Sequence, residues 1–486
     1  MITPDAPERS YSTRLRTALL LTGTGTAGAY HAGVLRALHE AGIKIDLVGG
    51  RGIGAAGALL AAIDGGPRLW EASGIWKTSS PHRFYNWRPP LVYAAGAAAV
   101  AGVVFLIPIA LLVLAVVIAL AGTLVTLIGF GNAGAWLTTT YTRWIDAMFA
   151  PSAVPTVIPR LVLFALLVAA AILTVAALAT LLRERGRRRS RGAAFWRLLS
   201  APLTAESLVA RCSSEIWNLI RGAAPLAAPT RTQLSRKYVE LLADNLGQPG
   251  FRELLLIVHD VDARRDLVLS LLSPEHRSRF FSRPSAEPGW RQAEAFDLAG
   301  VPRDHAMDAL AAALSVPLAT DPHLMTFAAD GPWRGETHRV CDRPESLGRL
   351  IEEAGNAGAE QIILVAPSPP AARPHELSAG RADLRGRAGE HVAAFEAASL
   401  RDVQEQFAGR FASFFVIRPD HHPLGAFDFK GVYDQRSDRV QTLSELVDRG
   451  YEDAYHQFIE PVVGAGAEPA DPVHHVNGRH RAPVEL

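Results

Sequence analysis

Apolar positions follow two different patterns along this chain. Near both ends they come in short bursts between glycines and polar turns. In the middle they run on without a break. No charged residue occurs from Pro89 to Thr142, and Leu91 to Phe130 is almost wholly apolar, interrupted by glycines and Pro108. A second apolar run, Leu161 to Leu182, lies between Arg160 and Arg183. As a helix it rises about 33 Å, enough to cross a hydrocarbon core of about 30 Å. A soluble core helix rarely stays apolar on all faces for so long, so both runs are predicted to insert in a membrane. The first would be about 60 Å long as one helix, which is long for one crossing and barely enough for a hairpin at Pro108. The reading adopted is one long, kinked span, making two spans (about 91–130 and 161–182) joined by a linker from Gly131 to Pro159.

The flanks read as one soluble domain interrupted by these spans. Ala18–Thr22 and Ile45–Val48 are short buried strands, and Gly33–Ala41 and Ala55–Ile63 have helical spacing. Strand, Gly turn and helix, twice over, predict a parallel sheet with right-handed crossovers. Beyond the insertion, Glu253–His259, Gln361–Val365 and Phe414–Ile417 read as buried strands, and Glu206–Arg221, Leu234–Leu246, Ala306–Leu314 and Ser346–Ala357 as helices. Ser368–Glu390, rich in Pro, Arg and Gly, reads as a surface loop. The expected organisation is a first half-domain at 1–88, the membrane insertion at 89–191, the second half-domain at 192–463 and a loose tail at 464–486.

Charge supports this plan. Lys77, Arg83 and Arg88 precede the first run; Arg183, Arg185, Arg187, Arg188, Arg189 and Arg191 follow the second. The positive-inside rule puts both outer flanks on the cytoplasmic side, and the basic cluster is also a candidate surface for anionic lipid head groups. A net charge of +1 gives no bulk basic field for nucleic acid. Cys212 and Cys341 form no C-x-x-C pair and no disulfide framework. The polar start, Met1–Thr13, has no apolar core next to a basic start, so no signal peptide is expected there. Only four lysines occur among 49 basic residues, and alanine is abundant, a bias that suits a GC-rich bacterial genome.

The candidate chemistry sits in two Gly clusters. Gly23, Gly25 and Gly28 form a G-x-G-x-x-G between strand and helix. Backbone N–H groups there suit either a pyrophosphate or the oxyanion of an acyl-transfer intermediate. The second cluster is Gly50-Arg51-Gly52-Ile53-Gly54, a strand–elbow–helix with the frame of G-x-S-x-G, in which the central serine is a nucleophile. The stretch Leu19–Gly66 resembles the patatin-like phospholipase family, which carries G-G-G-x-x-G, a helix, a strand and then G-x-S-x-G. The resemblance extends through Ala29-Tyr-His-Ala-Gly33, Ala312–Pro317, Asp330–Val365 and Gly450–Ala454, and does not cover the apolar spans. It implies a patatin-like α/β sandwich and a Ser–Asp dyad that hydrolyses lipid acyl esters without a histidine.

The dyad itself is missing. Gly52 stands at the serine position. The D-G-G/A aspartate would fall near Trp333–Glu336, where the motif is absent and Asp330 is the nearest acid. Thr24 replaces a glycine of the oxyanion loop, leaving Gly23, Gly25, Thr26 and Gly28 as its candidate ligand-binding residues. Thr22, Thr24 and Thr26 are substitute nucleophiles whose simpler role is turn and cap chemistry. His31 packs at a helix start or faces the site. His421, His422, His474, His475 and His480 lack ligand spacing, so no metal and no cofactor are expected. Trp70, Trp76 and Trp87, with Tyr85, suit either a membrane-interface belt or domain packing. The expectation is a bacterial inner-membrane protein with a cytoplasmic patatin-like domain, catalytically silent, that binds lipid or acyl groups or scaffolds at the membrane. The alternatives are an acyl hydrolase with a substitute nucleophile and a homo-oligomer assembled through the membrane helices for transport or assembly.

Overall fold

The computed structural model describes residues 11–78, 80–148, 150, 158–184, 201–283, 289–370, 383–407, 409–420, 424–434 and 439–463. The chain divides into two compact units, Met1–Tyr85 with Ala205–Leu486, and Asn86–Thr204. The first unit opens with β1 (Thr17–Leu21), α1 (Ala27–Glu40), β2 (Leu47–Gly50), α2 (Gly54–Ala61) and α3 (Pro67–Trp70). The second unit holds β3 (Asn86–Trp87), α4 (Pro89–Leu127), α5 (Gly131–Met148), α6 (Ile158–Glu184) and β4 (Leu203–Thr204).

The first unit then resumes with α7 (Glu206–Arg221), α8 (Arg231–Asn245), β5 (Glu253–Asp260), β6 (Arg265–Leu271), α9 (Pro274–Phe281), α10 (Trp290–Glu294), β7 (Ala295–Asp297), α11 (Ala306–Ala313), β8 (His323–Thr326) and β9 (Thr337–Cys341). It ends with α12 (Leu347–Asn356), β10 (Gln361–Val365), α13 (Leu384–Gln406), β11 (Ser413–Ile417), the β12–β13 hairpin (Val432–Asp434, Arg439–Gln441) and α14 (Leu443–Ala454). Helix α13 starts inside the stretch read as a loop, so 384–390 is helical; 371–382 lie outside the described residues.

The sheet runs β11-β10-β1-β2-β5-β6-β7, with β9 pairing β5 and β8 pairing β9. From β11 to β5 all pairs are parallel; β6 and β9 are antiparallel to β5. This is the α/β architecture expected. Central strands such as β1, Thr-Ala-Leu-Leu-Leu, are buried at every position, because helices cover both faces and a run without alternation satisfies both. On one face Ala18, Leu20, Leu47 and Ile362 pack under Leu350 and Ile351 of α12 and Leu400 and Val403 of α13. On the other side of the unit α1 packs along α14, where the Tyr30 hydroxyl donates to Asp453 Oδ2 at 2.9 Å.

In the second unit β3 and β4 pair antiparallel, Asn86 beside Thr204. Helix α4 is continuous through Pro108, with no hairpin there, and is about 58 Å long. Both α4 and α6 are long and apolar enough to cross a membrane, with mean hydropathies of 3.3 and 2.9 in their most apolar windows. The expected linker holds a helix, α5, that folds back on α4. A Cβ on Gly134 would stand 2.2 Å from Thr126 Oγ1, and one on Gly122 2.7 Å from Thr138 Cγ2. Tyr141 donates to the Leu111 carbonyl at 2.6 Å. Close approach through small residues is how helices pair where lipid removes the hydrophobic drive. Arg183 falls in the last turn of α6. Arg185, Arg187, Arg188, Arg189 and Arg191, the tail at 464–486 and His421, His422, His474, His475 and His480 lie outside the described residues.

Candidate functional site: a closed elbow

Strand register places the site. Gly50, the last residue of β2, lies beside Leu256 of β5. Cys341, the last residue of β9, lies beside His259 of the same strand. The parallel and antiparallel neighbours thus approach head-on along one row, leaving a gap beside Ile257 and Val258. Arg51 and Asp342, the next residue of each, meet in it. Arg51 Nη1 donates to Asp342 Oδ1 at 3.2 Å and Oδ2 at 3.1 Å. Its Nη2 donates to Glu396 of α13. All three side chains are buried, Arg51 completely. Burial pushes the Asp342 carboxyl above its ordinary range, against the opposing pull of Arg51 and the N–H groups of Arg343 and Gly52.

The elbow turns as the sequence expects. Gly52 has φ +55°, a left-handed conformation in which a side chain is strained, and α2 begins two residues later. The space a side chain needs is filled. A Cβ on Gly52 would lie 2.2 Å from the Gly23 carbonyl oxygen and 2.8 Å from Asp342 Oδ2. The Gly loop is drawn onto the elbow by the Ile53 N–H, which donates to the Gly23 carbonyl at 2.9 Å.

The loop is plugged from its other side. Thr26 donates through its N–H to the Ala426 carbonyl and through Oγ1 to the Gly425 carbonyl at 2.6 Å. A Cβ on Gly25 would overlap the Ala426 oxygen at 1.7 Å. Gly23, Gly25, Thr26, Gly28, Gly50, Gly52 and Gly54 are all buried. Phe427 and Phe429 continue the plug against Tyr85. Trp76 and Tyr85 are buried in this packing and Trp87 is exposed, so only Trp87 and half-buried Trp70 retain the exposure of a belt.

Asp330 sits on the exposed turn between β8 and β9; the acid at the elbow is Asp342. Glu336, near the expected aspartate position, bonds His338 instead, 3.1 Å away. Thr22 Oγ1 donates to the Val365 carbonyl, and Thr24 Oγ1 to Glu396 at 3.4 Å. His31 is buried: its Nε2 lies 2.8 Å from the Thr22 carbonyl, which can only accept, so Nε2 carries the proton. Burial, against the Thr22 carbonyl and with the charge of Arg51, pulls the His31 pKa down to about 4. Among the described residues no His, Cys, Asp and Glu cluster is arranged to hold a metal ion. Sequence reading missed Glu396, on a helix 345 residues from Arg51, and Asp342. The signal that was available for Asp342 was its place directly after the β9 run.

A parallel-sheet α/β unit, with a Gly loop after its first strand and a Gly-x-Gly-x-Gly elbow after its second, has the frame of a nucleophile-elbow α/β fold. The profile of the patatin-like phospholipase family matches residues 19–337. The chain belongs to that family. It is 46% identical over 63 residues to patatin-like phospholipase domain-containing protein 6 of Homo sapiens and of Mus musculus, which is 13% of this chain and 5% of theirs. The chain thus spans a small fraction of those relatives' length. Among solved structures it is similar to VipD from Legionella pneumophila, with 11% identity and a TM-score of 0.31 over 92% of this chain and 67% of that one.

Proposed function

We propose that this chain is a catalytically silent patatin-like protein of a bacterial inner membrane, held by α4 and α6 with its α/β unit in the cytoplasm, and that it acts as a scaffold at the membrane lipid surface. The observation that carries the reading is the closed elbow. The position of the nucleophile is a glycine, and the volume a side chain would take belongs to a backbone carbonyl and a carboxylate. The acid beside it is bound by a guanidinium, a donor and no nucleophile. Loss of an attacking group costs many orders of magnitude in rate. The length and hydropathy of α4 and α6 support the anchorage, and the charge bias of the flanks supports the orientation.

The test is a fluorophosphonate labelling and ester-hydrolysis screen on the full chain in nanodiscs, with folding checked by circular dichroism. The expected result is no adduct and no turnover above buffer. Thr24 is the one threonine of the Gly loop whose hydroxyl bonds a carboxylate, so an adduct on Thr24, or turnover abolished by T24V, would overturn silence. Reporter-fusion topology mapping that placed both outer flanks outside the cytoplasm would overturn the orientation.

A further inference from the structure

We propose that the α/β unit binds a single-chain neutral amphiphile, of the monoacylglycerol class, in a cavity at the opposite end of the sheet from the elbow. A cavity of about 280 Å³ lies between the C-terminal half of α1, α3 and the β1–β2 face. It is at the N-terminal ends of the parallel strands, whereas the elbow is at their C-terminal ends. The site is therefore independent of the silent-scaffold reading.

The inner wall is apolar: Leu19, Leu35, Leu38, Ile43 and Val48 line it and all are buried. Trp70 is half-buried in the wall. An apolar cavity of about 150 Å³ takes one benzene, so this one has room for a chain of roughly eight to ten carbons. Such a wall with a few convergent polar groups is the usual composition of a small-molecule site.

The polar groups select the head group. Arg252 is anchored through Nη1, which donates to the Ala61 carbonyl at 2.7 Å and the Gly250 carbonyl at 3.3 Å. Asp64 lies close enough to act on it electrostatically. Asp64 has φ +54°, one of the few residue types that tolerates the left-handed region. His39, beside Trp70, is the third polar group. Arg252 is a cation and Asp64 an anion, so a carboxylate drawn by one is repelled by the other. A hydroxylated head group satisfies both, accepting from Arg252 and donating to Asp64. That favours a glycerol monoester over a free fatty acid.

The experiment is photolabelling of the full chain in nanodiscs with a diazirine-tagged monodecanoylglycerol, followed by peptide mapping. Labelling is expected in peptides spanning 35–48 and 61–70. Excess unlabelled monodecanoylglycerol should reduce it about tenfold, and the same concentration of decanoate less than twofold. L38F, which fills the cavity with a larger apolar side chain, should cut labelling at least fivefold while circular dichroism stays unchanged. I45F provides a second filling variant if L38F fails to fold. Labelling confined to α4–α6, equal competition by decanoate, or labelling unchanged in a folded filling variant would each overturn the proposal.

Discussion

Restoring the serine should damage this protein without reviving it. In Gly52→Ser the new Cβ enters a left-handed position (φ +55°), 2.2 Å from the Gly23 carbonyl oxygen and 2.8 Å from Asp342 Oδ2. The conformational term is about 1–2 kcal/mol. The first overlap is with backbone held by the Ile53 N–H, so relief requires moving the β1–α1 loop rather than rotating a side chain. Overpacking of that kind costs about 1–3 kcal/mol. The sum, about 2–5 kcal/mol, is a large part of the roughly 5–15 kcal/mol that holds a domain together.

Scanning fluorimetry in nanodiscs should show a fall in Tm of roughly 3–7 °C, nearly equal for Gly52→Ala, because the Cβ and not the hydroxyl causes it. Neither variant should take up fluorophosphonate. A Gly52→Ser protein as stable as the parent, labelled at residue 52 and hydrolysing esters, would refute the closed-elbow argument at its geometric root.

Arg51→Met should destabilise by about 3–5 kcal/mol in denaturant titrations, since it strands Asp342 and Glu396 in a buried site; adding Asp342→Asn and Glu396→Gln should recover most of the loss. His31, with its pKa lowered to about 4 from 6.5, binds a proton more readily unfolded than folded, so it should subtract stability as pH falls from 6.5 towards 4. The total is about 3 kcal/mol at most, and His31→Gln should remove this component, leaving the opposite slope of Asp453 exposed over the same window. Asp453 works in the opposite sense: burial, against the Tyr30 hydroxyl and Arg449, raises its pKa to about 6 from 3.8. Its contribution is full below about pH 4 and lost as pH rises through 6, so Asp453→Asn should remove that loss in a pH series of melts. In the second unit, Gly134→Leu should push α5 off α4, abolishing the disulfide that cysteines at 122 and 138, where a Cβ on Gly122 would stand 2.7 Å from Thr138 Cγ2, would otherwise form.

The parts of the fold that were legible are those where local pattern and burial agree. β1 and β2 are unbroken apolar runs because both sheet faces are covered, and the two Gly clusters follow them at once. α5 was missed because Thr138, Thr139, Thr140 and Thr142 and the flanking glycines weaken helix propensity. It is helical through packing: the same small residues that make a poor isolated helix admit close contact with Gly122. The site divides in the same way. Gly52 and its neighbours were readable from spacing, being local. Asp342 and Glu396 were not, because strand register and the return of α13 bring them to Arg51, and neither leaves a periodic trace. Asp330 drew attention through an adjacent glycine that serves an exposed turn.

Arg51 explains why the changes at the elbow hold together. Without Arg51 the buried Asp342 would be left with the N–H groups of Arg343 and Gly52 and no opposing charge. Burial raises its pKa even with the arginine present. Arg51 supplies two hydrogen bonds to that acid and reaches Glu396 with its other nitrogen. The cluster is then held on three sides, from β2, β9 and α13. The same contacts would disable a restored dyad. A base already accepting from a guanidinium takes up a proton less readily, and the guanidinium cannot leave without exposing two buried charges. Glycine at 52 is compatible with this arrangement because it alone brings no Cβ into the space between Gly23 and Asp342. Placing a side chain at position 52 without strain therefore requires Gly52 and the path of the Gly23 loop to change together, and freeing Asp342 requires Arg51 to change as well.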